Sequence, residues 1–148
     1  GRIIRVGGVS FAGLDGSLDY REGIVGFSEG EMSAKALPLA AKAIALGGID
    51  VLVTHAPPRG YGDLDDLPHR GFEAFLPLLD RWRPRYLVHG HIHTRYAPGR
   101  ETERPHPCGT RLINACGSRL LDVSDEDHPE KGKTGSFLYD LYTQMKKN

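Results

Sequence analysis

Apolar positions near the amino terminus come in short extended runs before any helical period appears. Arg2–Val6 and residues 9–13 are β-type segments separated by Gly7 and Gly8, a pair suited to a tight hairpin turn, and they predict two paired strands. A glycine-punctuated loop follows. Ser28 with Glu31, or Ser33 after it, then starts a predicted helix that runs to about Leu46, where Gly47 and Gly48 stop it. Pro38 falls inside that helix and removes one backbone donor from it. Residues 49–54 form a continuous apolar strand of the kind covered on both faces, ended by the prolines at 57 and 58. From about Gly71 to Trp82 a second helix places Phe72, Phe75, Leu76 and Leu79 on one stripe, with Arg81 and Arg83 near its carboxyl end and Pro84 closing it. Residues 86–89, 110–114 and 136–142 read as further strands. This order predicts an α/β fold built on a mixed sheet or sheets.

Composition narrows the class. The chain has 148 residues, enough for one domain spanning 1–148 with a core that needs no disulfide or metal staple. Its 19 Lys and Arg balance 19 Asp and Glu, so it carries no electrostatic signature of a nucleic-acid or anionic-membrane binder. No apolar run approaches the length of a membrane span, and the first residues do not form a signal peptide. Two cysteines, Cys108 and Cys116, make no disulfide framework and predict a reducing, cytoplasmic setting.

The histidines carry the candidate chemistry. Five of the seven, His55, His69, His89, His91 and His93, fall between positions 55 and 93. His55 directly follows one predicted strand, and His91 lies one glycine beyond another. Strand ends of that kind are where open α/β sheets place their ligand sites. In extended backbone, residues two apart point the same way, so His91 and His93 can face one cavity while Ile92 turns to the core. Neutral imidazole is the commonest protein metal ligand. His55, His91 and His93 are therefore read as metal ligands, and no catalytic or substrate-binding residue is assigned.

Thr54-His55-Ala56-Pro57-Pro58-Arg59-Gly60, the stretch from Tyr86 through Gly90-His91-Ile92-His93, and Leu112-Ile113-Asn114-Ala115 resemble the C-terminal half of the calcineurin-like metallophosphoesterases. The segment from Phe11 to Ser17 resembles the strand and turn after that family's middle motifs. The resemblance implies two facing mixed β-sheets flanked by helices, with a two-metal site at the sheet edge. It places His55 and His91 on one metal and His93 on the other. It further implies divalent cofactors such as Mn, Fe, Zn, Ni or Mg, and a small-molecule or phosphoprotein phosphate ester as substrate. The family's Asp-x-His, Gly-Asp and Gly-Asn-His-Asp/Glu motifs do not occur here. Three neutral histidines cannot bridge two divalent ions, so this chain by itself is expected to hold at most one. The expectation is a metal-dependent phosphoesterase whose first third lies upstream of Gly1. Two alternatives stand beside it: a non-catalytic binding or scaffold domain, and an unrelated mononuclear three-histidine hydrolase.

Other features have plainer readings. Arg59, His69 and Arg70 are placed either against substrate phosphate or in a solvated loop. Asp63, Asp65 and Asp66 read as an acidic first turn ahead of the second helix, or as partners of ligand histidines. Arg95, Arg100, Arg104 and Arg111, interleaved with Glu101 and Glu103, predict a solvated hairpin. Cys116 reads as a small buried thiol, His89 as core or a support for the ligands, and His106 and His128 as exposed loop residues. Residues 122–133 read as a surface loop.

Overall fold

The computed structural model describes residues 1–21, 26–93, 99, 101–123 and 145. Its main element is a six-stranded mixed sheet built from β1 (Arg2–Val6), β2 (Val9–Leu14), β5 (Val51–Thr54), β6 (Tyr86–His89), β7 (Glu103–Pro105) and β8 (Arg111–Asn114). The strand order is β1-β2-β5-β6-β8-β7. The central four, β2, β5, β6 and β8, are parallel, and β1 and β7 are antiparallel edges. A separate pair, β3 (Ser17–Leu18) and β4 (Gly26–Phe27), is parallel and two residues long. Two helices, α1 (Glu29–Leu46) and α2 (Leu76–Trp82), supply the crossovers from β2 to β5 and from β5 to β6. This is a mixed α/β fold. Among the described residues no helix is long and apolar enough to cross a membrane.

Helix α1 begins where local chemistry says it should. The Ser28 hydroxyl accepts from the Glu31 amide while the Glu31 carboxylate accepts from the Ser28 amide, a complete capping box. Gly47, left-handed at φ 79°, ends the helix. Pro38 is tolerated on the exposed face, where water can serve the carbonyl it leaves unbonded. The second helix is shorter than the expected 71–82. Phe72 precedes a 3₁₀ turn, Glu73–Phe75, and regular helix starts at Leu76, with Pro77 in its first turn. Glu29 of α1 accepts from the Glu73 and Ala74 amides at 2.9 and 3.0 Å, so the start of one helix caps the turn that opens the other.

Both helices pack on one face of the sheet. Met32, Leu39, Phe72, Phe75, Leu79 and Trp82, all fully buried, meet Ala12, Leu52, Leu87 and Leu112 there. Along the strands side chains alternate, so Val51, Tyr86 and Ile113 turn to the other face with Phe11 and Val88, partly covered by Leu121 and Val123. Residues 49–54 are therefore not covered on both sides as expected: Val53 is 43% exposed on the face away from the helices. Where α2 returns to the sheet, buried Asp50 ties the layers together. Its carboxylate accepts from the Ser10 amide at 2.7 Å and stands 3.7 Å from the buried Arg85 guanidinium. The predicted hairpin around Arg104 and Arg111 is present as β7 and β8, with Glu103 accepting from Arg111 Nε at 2.6 Å. The predicted strand at 136–142, His128, Arg95 and Arg100 lie outside the described residues, as does most of the expected surface loop 122–133.

Candidate functional site

The parallel strands end at one rim, and their pairing continues one step past each strand into the residues that bear the histidines. His55 donates its amide to Leu14, Gly90 to the His55 carbonyl, and Ala115 to the His89 carbonyl. His55 and His91 are thereby held on adjacent strand ends. At His91 the backbone turns sharply. It has φ 64°, a left-handed conformation that costs energy for a residue other than glycine and is more often found where function requires it. Asn114, at the end of β8, clamps this turn: its Nδ2 donates to the Ile92 carbonyl at 2.7 Å and its Oδ1 accepts from the Cys116 amide at 3.0 Å.

The hydrogen bonds settle the His91 tautomer. Its Nε2 lies 2.6 Å from the Pro68 carbonyl oxygen, which can only accept, so that nitrogen carries the proton. Nδ1 is left with a lone pair, and it faces His55 Nε2 at 3.1 Å with ring centroids 4.8 Å apart. Burial, followed by the neighbouring His55, His69 and His93, holds the His91 imidazole below its ordinary pKa, against the pull of the Pro68 carbonyl. It is neutral at pH 7, as a metal ligand must be.

The spacing of this hydrogen-bonded pair is also that of two nitrogens on one metal ion. Two nitrogens bound at about 2.0–2.1 Å stand roughly 3.0 Å apart at a right angle and roughly 3.4 Å apart at a tetrahedral angle. The observed 3.1 Å falls between. Ligand histidines usually donate their other nitrogen to a carbonyl or carboxylate, which is what Pro68 receives. His69 joins from the other side, its ring 5.5 Å from that of His91 and its Nδ1 donating to Asp66 Oδ2 at 2.5 Å. His93, the third expected ligand, is exposed, and its Nδ1 lies 3.5 Å from Cys116 Sγ. Cys116 is thus half-exposed beside a base, not an isolated buried thiol.

The loop between His55 and α2 is organised by a residue whose role was not legible. Asp63 is 7% exposed and accepts from the Gly60 and Gly71 amides at 2.9 and 3.0 Å, while Arg59 Nη1 donates to it at 2.7 Å. Asp63 is a staple inside the loop rather than part of an acidic helix start. Arg59 is engaged with Asp63 and Asp65, and Arg70 with the Asp65 carbonyl. Gly71 admits no side chain, because a Cβ there would lie 2.5 Å from the Pro57 carbonyl oxygen. The loop so fixed delivers Pro68 to His91.

His89 and His106 are both buried. His89 is 4% exposed, donates Nδ1 to the Gly90 carbonyl at 3.1 Å, and is pushed down to about pKa 4, chiefly by burial. His106 was expected in an exposed loop because prolines flank it. It is 5% exposed, since the β7–β8 turn folds it against the Tyr61 ring at 4.6 Å. Among the described residues, Asp80, His106 and Cys108 form the group of three whose ligand atoms all lie within 4.8 Å of one another; the histidine rim forms no such group.

Two proteins of Caenorhabditis elegans described as UPF0046 proteins are similar to this chain. One is 41% identical over 82 residues, covering 53% of this chain and 19% of the relative. The other is 33% identical over 85 residues, covering 52% of this chain and 28% of the relative. The chain therefore spans about a fifth to a quarter of the length of these relatives. No family model and no solved structure matches it.

Proposed function

We propose that this chain belongs to a metal-dependent phosphoesterase, a calcineurin-like metallophosphoesterase domain that hydrolyses phosphate mono- or diesters. The observation that carries the proposal is the pairing of His91 Nδ1 with His55 Nε2 at 3.1 Å on adjacent strand ends, with His91 oriented by Pro68. His55 and His91 hold one divalent ion, and His93 contributes to a second. Such ions supply an activated water and neutralise charge developing on the phosphoryl oxygens. Among the described residues no carboxylate joins the rim histidines in a group of three ligand atoms; in this reading the bridging carboxylate comes from elsewhere in the protein. The second sheet of the fold lies over the Val53 face, where Phe11 and Val88 remain partly open.

A second reading is supported by that same lack of a carboxylate: a binding or scaffold domain that keeps the sheet and one metal without turnover. Hydrolysis of a chromogenic phosphodiester by the full-length protein, with and without Mn²⁺, separates the two. Turnover that requires metal and disappears with His91→Ala supports the enzyme. Metal bound at the rim without turnover across the first-row ions leaves the binding domain, and no metal bound there overturns both.

A further inference from the structure

A second cluster of ligand groups lies away from the rim, where α2 meets the β7–β8 turn. Pro105-His106-Pro107-Cys108-Gly109-Thr110 forms that turn, closed by the His106 amide on the Thr110 carbonyl at 2.8 Å and by the Gly109 amide on the His106 carbonyl at 2.9 Å. Gly109 takes φ 94°, which a side chain would disfavour. The turn brings His106 Nδ1 to 3.0 Å from Cys108 Sγ. Nδ1 accepts the Cys108 amide at 3.2 Å, which puts the proton on Nε2 and fixes the ring; an ion bound at Nδ1 would take the place of this hydrogen bond. Cys108 is held in place by Thr110 Oγ1 at 3.2 Å, and Thr110 in turn donates to the Pro84 carbonyl at 2.7 Å. From α2, exposed Asp80 completes a set in which one ligand atom from each residue lies within 4.8 Å of the others.

We propose that Asp80, His106 and Cys108 form a metal site taking one zinc-like divalent ion, in a tetrahedral set completed by water. Two of the three ligands come from a single rigid turn, which removes most of the ordering cost of assembling them. The third is an exposed carboxylate, and an inward rotation of its side chain would close a spread wider than the ligand spacing of a tetrahedral ion. Thiolate with imidazole selects borderline ions such as zinc and cobalt over magnesium or calcium, whose preferred ligands are oxygens. The site is chemically distinct from the all-imidazole rim and does not depend on the function proposed for it.

Cobalt titration of the full chain tests the assignment. With Cys116→Ser, Cys108 is the one remaining thiol, so a thiolate-to-cobalt charge-transfer band can arise from it alone. We expect that band to saturate at one equivalent in Cys116→Ser, to persist when His91→Ala is added, and to weaken at least about tenfold in affinity with Asp80→Asn or His106→Gln. Zinc should also raise the melting temperature of Cys116→Ser and leave that of the Cys108→Ser/Cys116→Ser double variant unchanged. Absence of the band in Cys116→Ser, or a band indifferent to both Asp80→Asn and His106→Gln, overturns the proposal.

Discussion

His91 Nδ1 meets His55 Nε2 at 3.1 Å although 36 residues separate them in sequence. The approach depends on three distant supports acting together. Parallel pairing sets the two strand ends side by side, the left-handed turn at His91 swings its ring across, and Pro68 takes the Nε2 proton. Because each support is a different kind of interaction, each can be removed separately.

Replacing His91 removes a proposed ligand without removing the strand end. His91→Asn suits the backbone better than His91→Ala, because Asn tolerates the left-handed conformation. Both variants are expected to weaken first-row metal binding at the rim by at least about 100-fold, the upper range for loss of a mere outer-shell partner. Calorimetric titration with Mn²⁺ or Zn²⁺ in a Cys108→Ser background isolates the rim. Undiminished affinity in both variants would remove His91 from the site.

Asp63 acts on the same site through the loop. Asp63→Ala strands the Gly60 and Gly71 amides, and is expected to cost about 1–3 kcal/mol in urea unfolding. With the loop loosened, Pro68 no longer fixes the His91 ring, so rim metal affinity should fall even under conditions where the variant remains folded. Loss of stability with metal affinity intact would sever Asp63 from the site.

Burial of neutral His89 makes stability depend on pH. Its pKa is about 4 folded against 6.5 unfolded, so below 6.5 the unfolded chain takes up a proton that the folded chain refuses. The contribution is fully present above pH 6.5, declines as pH falls, and is spent by pH 4, a total of roughly 3 kcal/mol. Urea midpoints of the metal-free protein between pH 7 and 4 should drop accordingly. A His89→Gln variant that retains the same pH slope would assign the effect to other groups.

Asp50 is expected to be among the costliest single losses in the core. Asp50→Ala leaves Arg85 buried without its carboxylate and the Ser10 amide without its acceptor, about 3–5 kcal/mol in chemical denaturation. Adding Arg85→Met should recover part of that loss, since the stranded charge is then gone. No recovery would mean that the Asp50–Ser10 contact alone carries the effect.

The elements that could be read from the chain are those set by neighbours in sequence. Ser28 and Glu31 cap α1 within one turn, Gly47 ends it, and the alternation in residues 9–13 is local as well. The features that could not be read depend on how loops close and how elements pack. Asp63 looks like any loop acid until Gly71 and Arg59 fold onto it, and His106 between two prolines looks exposed until α2 and Tyr61 close over it. Residues 72–75 carry a helical stripe, yet Glu73–Phe75 form a 3₁₀ turn whose first two amides donate to Glu29 of another helix. At the rim, His55 and His91 were legible because each closely follows a predicted strand. The sharp turn that carries His93 off toward Cys116 was not, since extended geometry at 91–93 gives way to a left-handed residue.

The strand order also bears on how the molecule is made. The β1–β2 hairpin joins immediate neighbours in sequence, but β2 must find β5, and β5 must find β6, across a helix and a loop each time. Sheets of this kind pay for chain closure before pairing rewards it and acquire their final form late and slowly. The two histidines at 3.1 Å lie at one of these long-range junctions, between β5 and β6. With the ion proposed for the rim, metal uptake would become a clock for folding: an ion present during refolding would have nothing to grip until the parallel strands had met, and once they had, it would resist their parting.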